Sequence, residues 1–366
     1  MKTSKLKPLE KEILTCTMCG FCKAVCPVGE EICWDSSTAR GLVILSYGLL
    51  ENEIEIDDSV VESLAQCTLC KQCEVKCPSK VKITEIIEAT REDIANAGAS
   101  LNAHKNLLKN ITEHGNPFGE SKSMVEQLKH KDKVGKKAKV AYFVGCFAAY
   151  KEQNIANATL SILDKLNVDY SIVDGKCCGC PLQAIGYTGK TFKEIAEYNI
   201  KKIEETGAEK VLFSCADGYK TFRVDYPKVE KFDLQPMHIT EFLSDMKFDL
   251  RELPKKVTYH DPCYLGRHLG VYDAPRKLLQ RIPKIEFTEM KSTREQAKCC
   301  GAGGGVLFAY PELAKKLAKK RVEAASFADI MVTACPLCVD NLKKGREISN
   351  SKIEILDIVE LIDRLL

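Results

Sequence analysis

The chain has 366 residues, 45% of them apolar and 29% charged, with a formal net charge of +3. That balance excludes a disordered chain, which would be poorer in apolar residues, and a general nucleic-acid binder, which would carry a marked basic excess. The most apolar run, Gly41 to Leu50, is ten residues long, about half of the ~20 that a membrane-spanning helix needs, so no span of its own is expected.

At the N-terminus, Met1 to Thr15 carries Lys and Glu where a secretion signal needs an apolar stretch, so a cytoplasmic location is expected. Nineteen cysteines follow. An odd number in a chain without a secretion signal argues against a disulfide framework and for thiolate ligation of metal.

Two tight groups come first: Cys16-x2-Cys19-x2-Cys22-x3-Cys26-Pro27 and Cys67-x2-Cys70-x2-Cys73-x3-Cys77-Pro78. Both match the ferredoxin run, in which the close trio wraps one cubane and the fourth Cys ligates the other. Cys16, Cys19, Cys22 and Cys77 are therefore expected on one [4Fe–4S] cluster, and Cys67, Cys70, Cys73 and Cys26 on a second. Zinc is the alternative, but zinc sites usually pair two CxxC units over a gap. Helices are predicted over Thr38–Leu50, Asp57–Gln66 and from Thr84 to Ala97, with Gly98 as a stop. Residues 1–114 thus read as a helical two-cluster ferredoxin domain.

Residues 115–137 read as a linker. They hold Asn116-Pro117-Phe118-Gly119 and then Lys129, Lys131, Lys133, Lys136 and Lys137. This run is either a solvated connector or a patch for an anionic partner.

From Lys139 strands and helices alternate. The first half predicts strand 140–144, helix 155–166, strand 170–173, helix 191–206 and strand 211–214. The second predicts strand 256–259, helix 275–281, strand 285–290, helix 311–325 and strand 330–333. Such alternation predicts α/β layers with largely parallel strands. The halves repeat: Cys146 to Cys263, Cys177 to Cys299 and Cys215 to Cys335 are 117, 122 and 120 residues apart. The expected fold is therefore α+β and multidomain. The helical ferredoxin domain precedes two tandem α/β domains, 138–250 and 251–366, each with a Cys-Cys-Gly core and related by a pseudo-twofold axis.

The second copy offers five thiolates: Cys263, Cys299, Cys300, Cys335 and Cys338. Five exceed what one cubane or one tetrahedral zinc requires, and adjacent cysteines suit a larger cluster with several irons. Gly301, Gly303 and Gly304 would let backbone approach that cofactor closely. The glycine run is not a nucleotide loop, because Val306 stands where GxGxxG needs glycine. The first copy holds Cys146, Cys177, Cys178 and Cys215, but Gly218 replaces its fifth Cys. It is expected to hold zinc, a simpler iron–sulfur centre or nothing. Cys33 and Cys180 stand outside these groups, and Cys180, two residues after Cys178, either compensates for the missing ligand or is a small buried residue.

Two ferredoxin runs followed by two Cys-Cys-Gly domains resemble the D subunit of heterodisulfide reductase and its relatives, among them the iron–sulfur subunits of glycolate and lactate oxidases and of anaerobic glycerol-3-phosphate dehydrogenase. His260-Asp261-Pro262-Cys263-Tyr264-Leu265-Gly266-Arg267-His268, Cys299-Cys300-Gly301-Ala302-Gly303-Gly304-Gly305 and Cys335-Pro336-Leu337-Cys338 are similar to the D-subunit branch. The resemblance implies a noncubane [4Fe–4S] cluster in the C-terminal copy, where a substrate disulfide such as CoM-S-S-CoB is reduced or formed. His260 or His268 would then donate a proton to the departing thiolate, or hold the loop by hydrogen bonds. Arg267 would clamp an anionic substrate group or form a salt bridge. The implied partners are a flavoprotein, a b-type cytochrome or a hydrogenase-like chain, and a small thiol or disulfide. A partner could hold the chain on the inner face of the membrane. The other reading is an electron-transfer subunit of a FAD-linked 2-hydroxyacid or glycerol-3-phosphate dehydrogenase.

Overall fold

Local capping starts the N-terminal helices where the sequence places them. Helix Ala39–Leu50 begins where the Thr38 hydroxyl accepts the Gly41 N–H, and helix Asp58–Ala65 where the Asp57 carboxylate accepts the Val60 N–H. Helix Ile83–Asn96 ends just before Gly98, whose φ is +77°. Leu42, Val43, Leu64, Ile86, Ile87 and Ile94 from these helices close one apolar core. The computed structural model describes residues 5–128 and 130–366, so Met1 to Ser4 and Lys129 lie outside the described residues.

A further helix, Asn102–His114, escapes the sequence reading. Its Leu107 and Ile111 join Met124, Val125 and Leu128 in the core of the domains that follow. The first part of the segment 115–137 therefore packs inward, at Asn116, Met124, Val125 and Leu128, while Lys131, Lys136 and Lys137 of the lysine run are exposed. The Asn116 side chain is buried, donates to the carbonyls of His114 and Glu120, and accepts the N–H groups of Phe118 and Glu120. Phe118 packs edge-on against Phe147 and Tyr150. Lys133 pairs with Asp164 at 3.1 Å, and Lys137 donates to the Glu205 carbonyl, so these two lysines face their own chain.

Two four-stranded parallel sheets follow. The first comprises β1 (Val140–Phe143), β2 (Tyr170–Ile172), β3 (Lys210–Phe213) and β4 (Gln235–His238), in the order β2-β1-β3-β4. The second comprises β5 (Lys256–Tyr259), β6 (Glu286–Phe287), β7 (Ile330–Thr333) and β8 (Glu354–Asp357), in the order β6-β5-β7-β8. The repeated order is the structural form of the repeated cysteine spacing. Helices Gln153–Lys165, Lys190–Glu204, Asp273–Gln280 and Pro311–Glu323 lie in the crossovers, as parallel strands require.

The fourth strand of each sheet is absent from the sequence reading. β4 contains Pro236, which only an edge strand tolerates. His238 and Asp357 end these strands and open the next helices through capping boxes with Glu241 and Glu360. The predicted strand 285–290 pairs only at Glu286 and Phe287. Beyond them the chain turns away so that Glu289 and Thr293 can bind the buried Arg276.

This topology positions the cysteines. In each sheet the chain leaves the central pair in opposite directions, which opens a crevice at the carboxyl ends of those strands. Cys146 follows β1, Cys215 follows β3, Cys263 follows β5 and Cys335 follows β7.

Candidate metal centres

Both ferredoxin loops take the same backbone path. Met18 and Gly20 have φ of +56° and +83°, and Leu69 and Lys71, at the equivalent positions, have +53° and +61°. Three non-glycine residues in the left-handed region mark a loop whose shape is imposed by function. Cys77 joins Cys16, Cys19 and Cys22 around one cavity. Cys26 instead lies in the electrostatic field of Cys67, Cys70 and Cys73. The crossed grouping expected from sequence is thus the spatial one. Backbone N–H groups point at sulfur: Gly29 to Cys26 at 3.4 Å, Leu69 to Cys67 at 3.5 Å and Val81 to Cys77 at 3.4 Å, contacts of the kind that set cluster potentials. Burial pushes the Cys67 thiol up to about 12. Thiolates packed this densely need cations among them, and iron fits the donor set.

The first loop is open to solvent and the second is not. Cys19 is exposed, as are Met18 and Phe21 beside it and Trp34 nearby in sequence, whereas Cys70 and Cys73 are buried.

In the C-terminal domain the five expected thiols converge. The Cys299 thiol hydrogen-bonds to Cys263 and Cys300, and Cys300 Sγ lies 3.3 Å from Cys338 Sγ. Cys335 contacts Cys338 on the same helix end. Cys299 also meets Cys70 of the second ferredoxin loop, so the two ligand sets touch. Gly301 has φ of +94°, and a Cβ there would lie 2.7 Å from the Ala314 carbonyl oxygen. Its N–H donates to Cys299 Sγ at 3.3 Å. A Cβ on Gly303 or Gly304 would strike the backbone of Thr68 and Cys67. These two glycines therefore let the ferredoxin loop pack onto the Cys-Cys-Gly loop.

Arg91, unmarked in the sequence reading, fixes that contact. It is 4% exposed and donates to four carbonyls: Leu64, Cys67 at 2.7 Å, Ala184 at 2.5 Å and Gly304 at 2.9 Å. One side chain thereby ties all three domains together.

The polar residues expected to be catalytic take more modest places. His260 is buried, and its Nδ1 accepts from Arg321 Nε at 3.0 Å. Arg can only donate, so the ring proton sits on Nε2. Burial, aided by Arg321, lowers its pKa to about 3. It is a neutral donor within 4.8 Å of the Cys300 and Cys338 sulfurs rather than an imidazolium. His268 gives its Nε2 proton to the Leu69 carbonyl at 2.9 Å, and burial keeps it neutral as well. Arg267 donates to the carbonyls of Cys70, Ala297 and Glu295 rather than forming a salt bridge, and only Nη2 is without a partner.

The first copy brings Cys146, Cys177 and Cys178 together through thiol contacts. Cys178, Cys215 and the buried Cys180 line a largely apolar cavity with Phe143, Phe147 and Leu337. Asp217, which the sequence reading passed over, enters the same cavity.

Comparison with known proteins agrees with this arrangement. A 4Fe-4S dicluster domain matches residues 12–81, and a cysteine-rich domain, CCG, matches residues 140–223 and 257–343. The chain is 35% identical to the D subunit of the dihydromethanophenazine:CoB–CoM heterodisulfide reductase of Methanosarcina acetivorans, across 97% of this chain and 94% of that one. It is 31% identical to the B subunit of the fumarate reductase (CoM/CoB) of Methanothermobacter marburgensis, over 96% of this chain and 72% of that one. It is 24% identical to the EtfAB:quinone oxidoreductase of Syntrophomonas wolfei, over 86% of this chain and 48% of that one.

Proposed function

This chain belongs to the family formed by the D subunit of heterodisulfide reductase and its iron–sulfur relatives, and within it we propose that the chain reduces or forms a substrate disulfide as one component of a complex. The observation that carries the proposal is the convergence of Cys263, Cys299, Cys300, Cys335 and Cys338 directly against Cys70. When bound, the clusters supply single-electron transfer and an iron to which a substrate sulfur can coordinate.

The chain's own residues do the rest. The exposed loop around Cys19, with Met18 and Phe21, offers the redox partner a place to dock. Cys70 and Cys299 bring the inner ferredoxin ligands against the C-terminal ligands, and Arg267 holds a fixed positive charge beside Cys70, Cys263 and Cys299. His260 presents a neutral donor to the Cys300 and Cys338 sulfurs, where negative charge accumulates on reduction. His268 and Arg267 both grip the ferredoxin loop, at Leu69 and Cys70, and so act on position rather than on protons. We place the chain in the cytoplasm, held at the inner membrane face only where its partner is a membrane cytochrome.

The test is reduction of CoM-S-S-CoB, and of other small disulfides, by the anaerobically purified full chain with a viologen donor. Turnover by the wild type and none by Cys299→Ser supports the proposal. The similarity to the EtfAB:quinone oxidoreductase favours a second reading, a relay serving a flavoprotein. That reading wins if no disulfide turns over and added thiols leave the EPR spectrum of the oxidised protein unchanged.

A further inference from the structure

Arg321, from helix Pro311–Glu323, is 2% exposed and has no carboxylate at ion-pair distance among the described residues. Its Nε donates to His260 Nδ1 and its Nη1 to the Ser292 carbonyl, each at 3.0 Å, and Nη2 has no partner. Arg91 is also buried, but it makes five hydrogen bonds against two here. The carboxylates whose field reaches Arg321, Asp261 and Glu289, are hydrogen-bonded to Arg276 instead. Cys300 acts on it as well. A buried charge this bare is costly unless it faces an anion, and a set of five thiolates is one.

The first copy does without the pair. Phe143 stands three residues before Cys146, as His260 stands three before Cys263, and Asn199 stands 22 residues after Cys177, as Arg321 stands 22 after Cys299. The two helices agree in what they bury: Ile195, Ala196 and Ile200 in one, Leu317, Ala318 and Val322 in the other. Phe143 and Asn199 are neighbours too, since a Cβ on Gly175 would meet both. Asn199 donates to the Cys177 carbonyl and the Tyr226 hydroxyl, and Phe143 packs on Phe213 and Phe222. The fold therefore fills these two positions with no buried charge at all, and packing does not explain Arg321 and His260. Both positions change together, and the polar pair stands in the copy that has five thiols.

We infer that Arg321 is a positioning residue that raises the reduction potential of the C-terminal centre: it fixes His260 as a donor toward the Cys300 and Cys338 sulfurs and sets its own permanent charge behind that ring. One ring nitrogen of His260 lies within 4.8 Å of both sulfurs. With Nδ1 accepting from Arg321, the ring proton is on Nε2. Hydrogen bonds to ligand sulfurs and a nearby positive charge both favour the more negative, reduced state of a thiolate-bound centre. Neither side chain gains or loses a proton in this role. The inference rests on the reading of the five cysteines as ligands of one redox centre, and not on the substrate.

The test is an EPR-monitored redox titration of the full chain, purified anaerobically, with iron counted per chain. The signal absent from Cys299→Ser identifies the C-terminal centre. Arg321→Gln puts an amide nitrogen where Nε stands, which keeps a donor for His260 and removes the charge. At a fixed potential it should lower the reduced-to-oxidised ratio of that centre about tenfold, or ~59 mV for one electron, with iron content and the ferredoxin potentials unchanged. Arg321→Lys restores the charge and should stay near wild type. His260→Phe/Arg321→Asn recreates the first copy's pair and should fall at least as far as Arg321→Gln; it keeps the test sound if the glutamine variant fails to fold. The inference is overturned if the charge-free variants keep the wild-type potential, or if Arg321→Lys falls as far as Arg321→Gln. It is also overturned if every variant loses the C-terminal iron, which would make the pair a brace, or if Cys299→Ser removes no signal. The expected shifts in a chain that turns over no disulfide would fault the proposed function and leave Arg321 in its role.

Discussion

Replacing Arg91 by Met should loosen the junction between the ferredoxin loop and both Cys-Cys-Gly domains. The guanidinium makes five hydrogen bonds to four carbonyls drawn from three domains, and it is 4% exposed. Methionine replaces much of the apolar stem but satisfies none of the carbonyls. A hydrogen bond to a charged group contributes about 1.5–3 kcal/mol, but release of the buried charge into water offsets much of the sum. The net loss is about 4 kcal/mol, near the top of the range for a single substitution. For a chain of this length the unfolding entropy is roughly 0.8 kcal/mol/K, so the melting temperature should fall by about 5 °C. Arg91→Lys keeps the charge without the fork and should fall between the two. The charge also lies beside Cys67, so Arg91→Met should lower the potential of the cluster that Cys67 holds while Arg91→Lys largely preserves it. Anaerobic calorimetry and an EPR-monitored redox titration read both effects. A melting temperature within a degree of wild type, with an unmoved potential, would refute the reasoning.

Three further outcomes follow from the ligand geometry. Cys77→Ser should disturb the cluster held by Cys16, Cys19 and Cys22 and spare the one adjacent in sequence, which EPR of the two reduced clusters would show. Cys299→Ser should abolish disulfide turnover while both ferredoxin signals stay readable, since Cys299 contacts Cys70 but belongs to the C-terminal set. Stripping iron with a chelator should lower the melting of the N-terminal domain more than that of the sheet domains. Its core clusters around the ligand loops, and a metal that binds only the folded state contributes its binding energy to folding; equal losses in proteolysis of the two regions would count against this.

The helical domain and the repeat were legible because spacing carries them. Two four-cysteine runs and three offsets near 120 residues are covalent facts about the chain, and only a few folds can bring such residues together. Strand and helix alternation gave the sheets, but not their fourth strands. β4 and β8 are short edges whose polar ends serve as helix caps, and that role leaves no apolar run to read. The segment 115–137 is legible only in its second part, where Lys131, Lys136 and Lys137 are exposed as the charge run suggests. Its lysines dominate composition while Asn116, Met124, Val125 and Leu128 quietly face inward.

Residues whose roles depend on partners from distant segments were the hardest to see. Arg91 lies 213 positions from Gly304, and nothing in the helix around it announces a junction. His260 and His268 drew attention by their ionisable rings, yet burial holds both neutral, and for His268 a carbonyl occupies the ring proton.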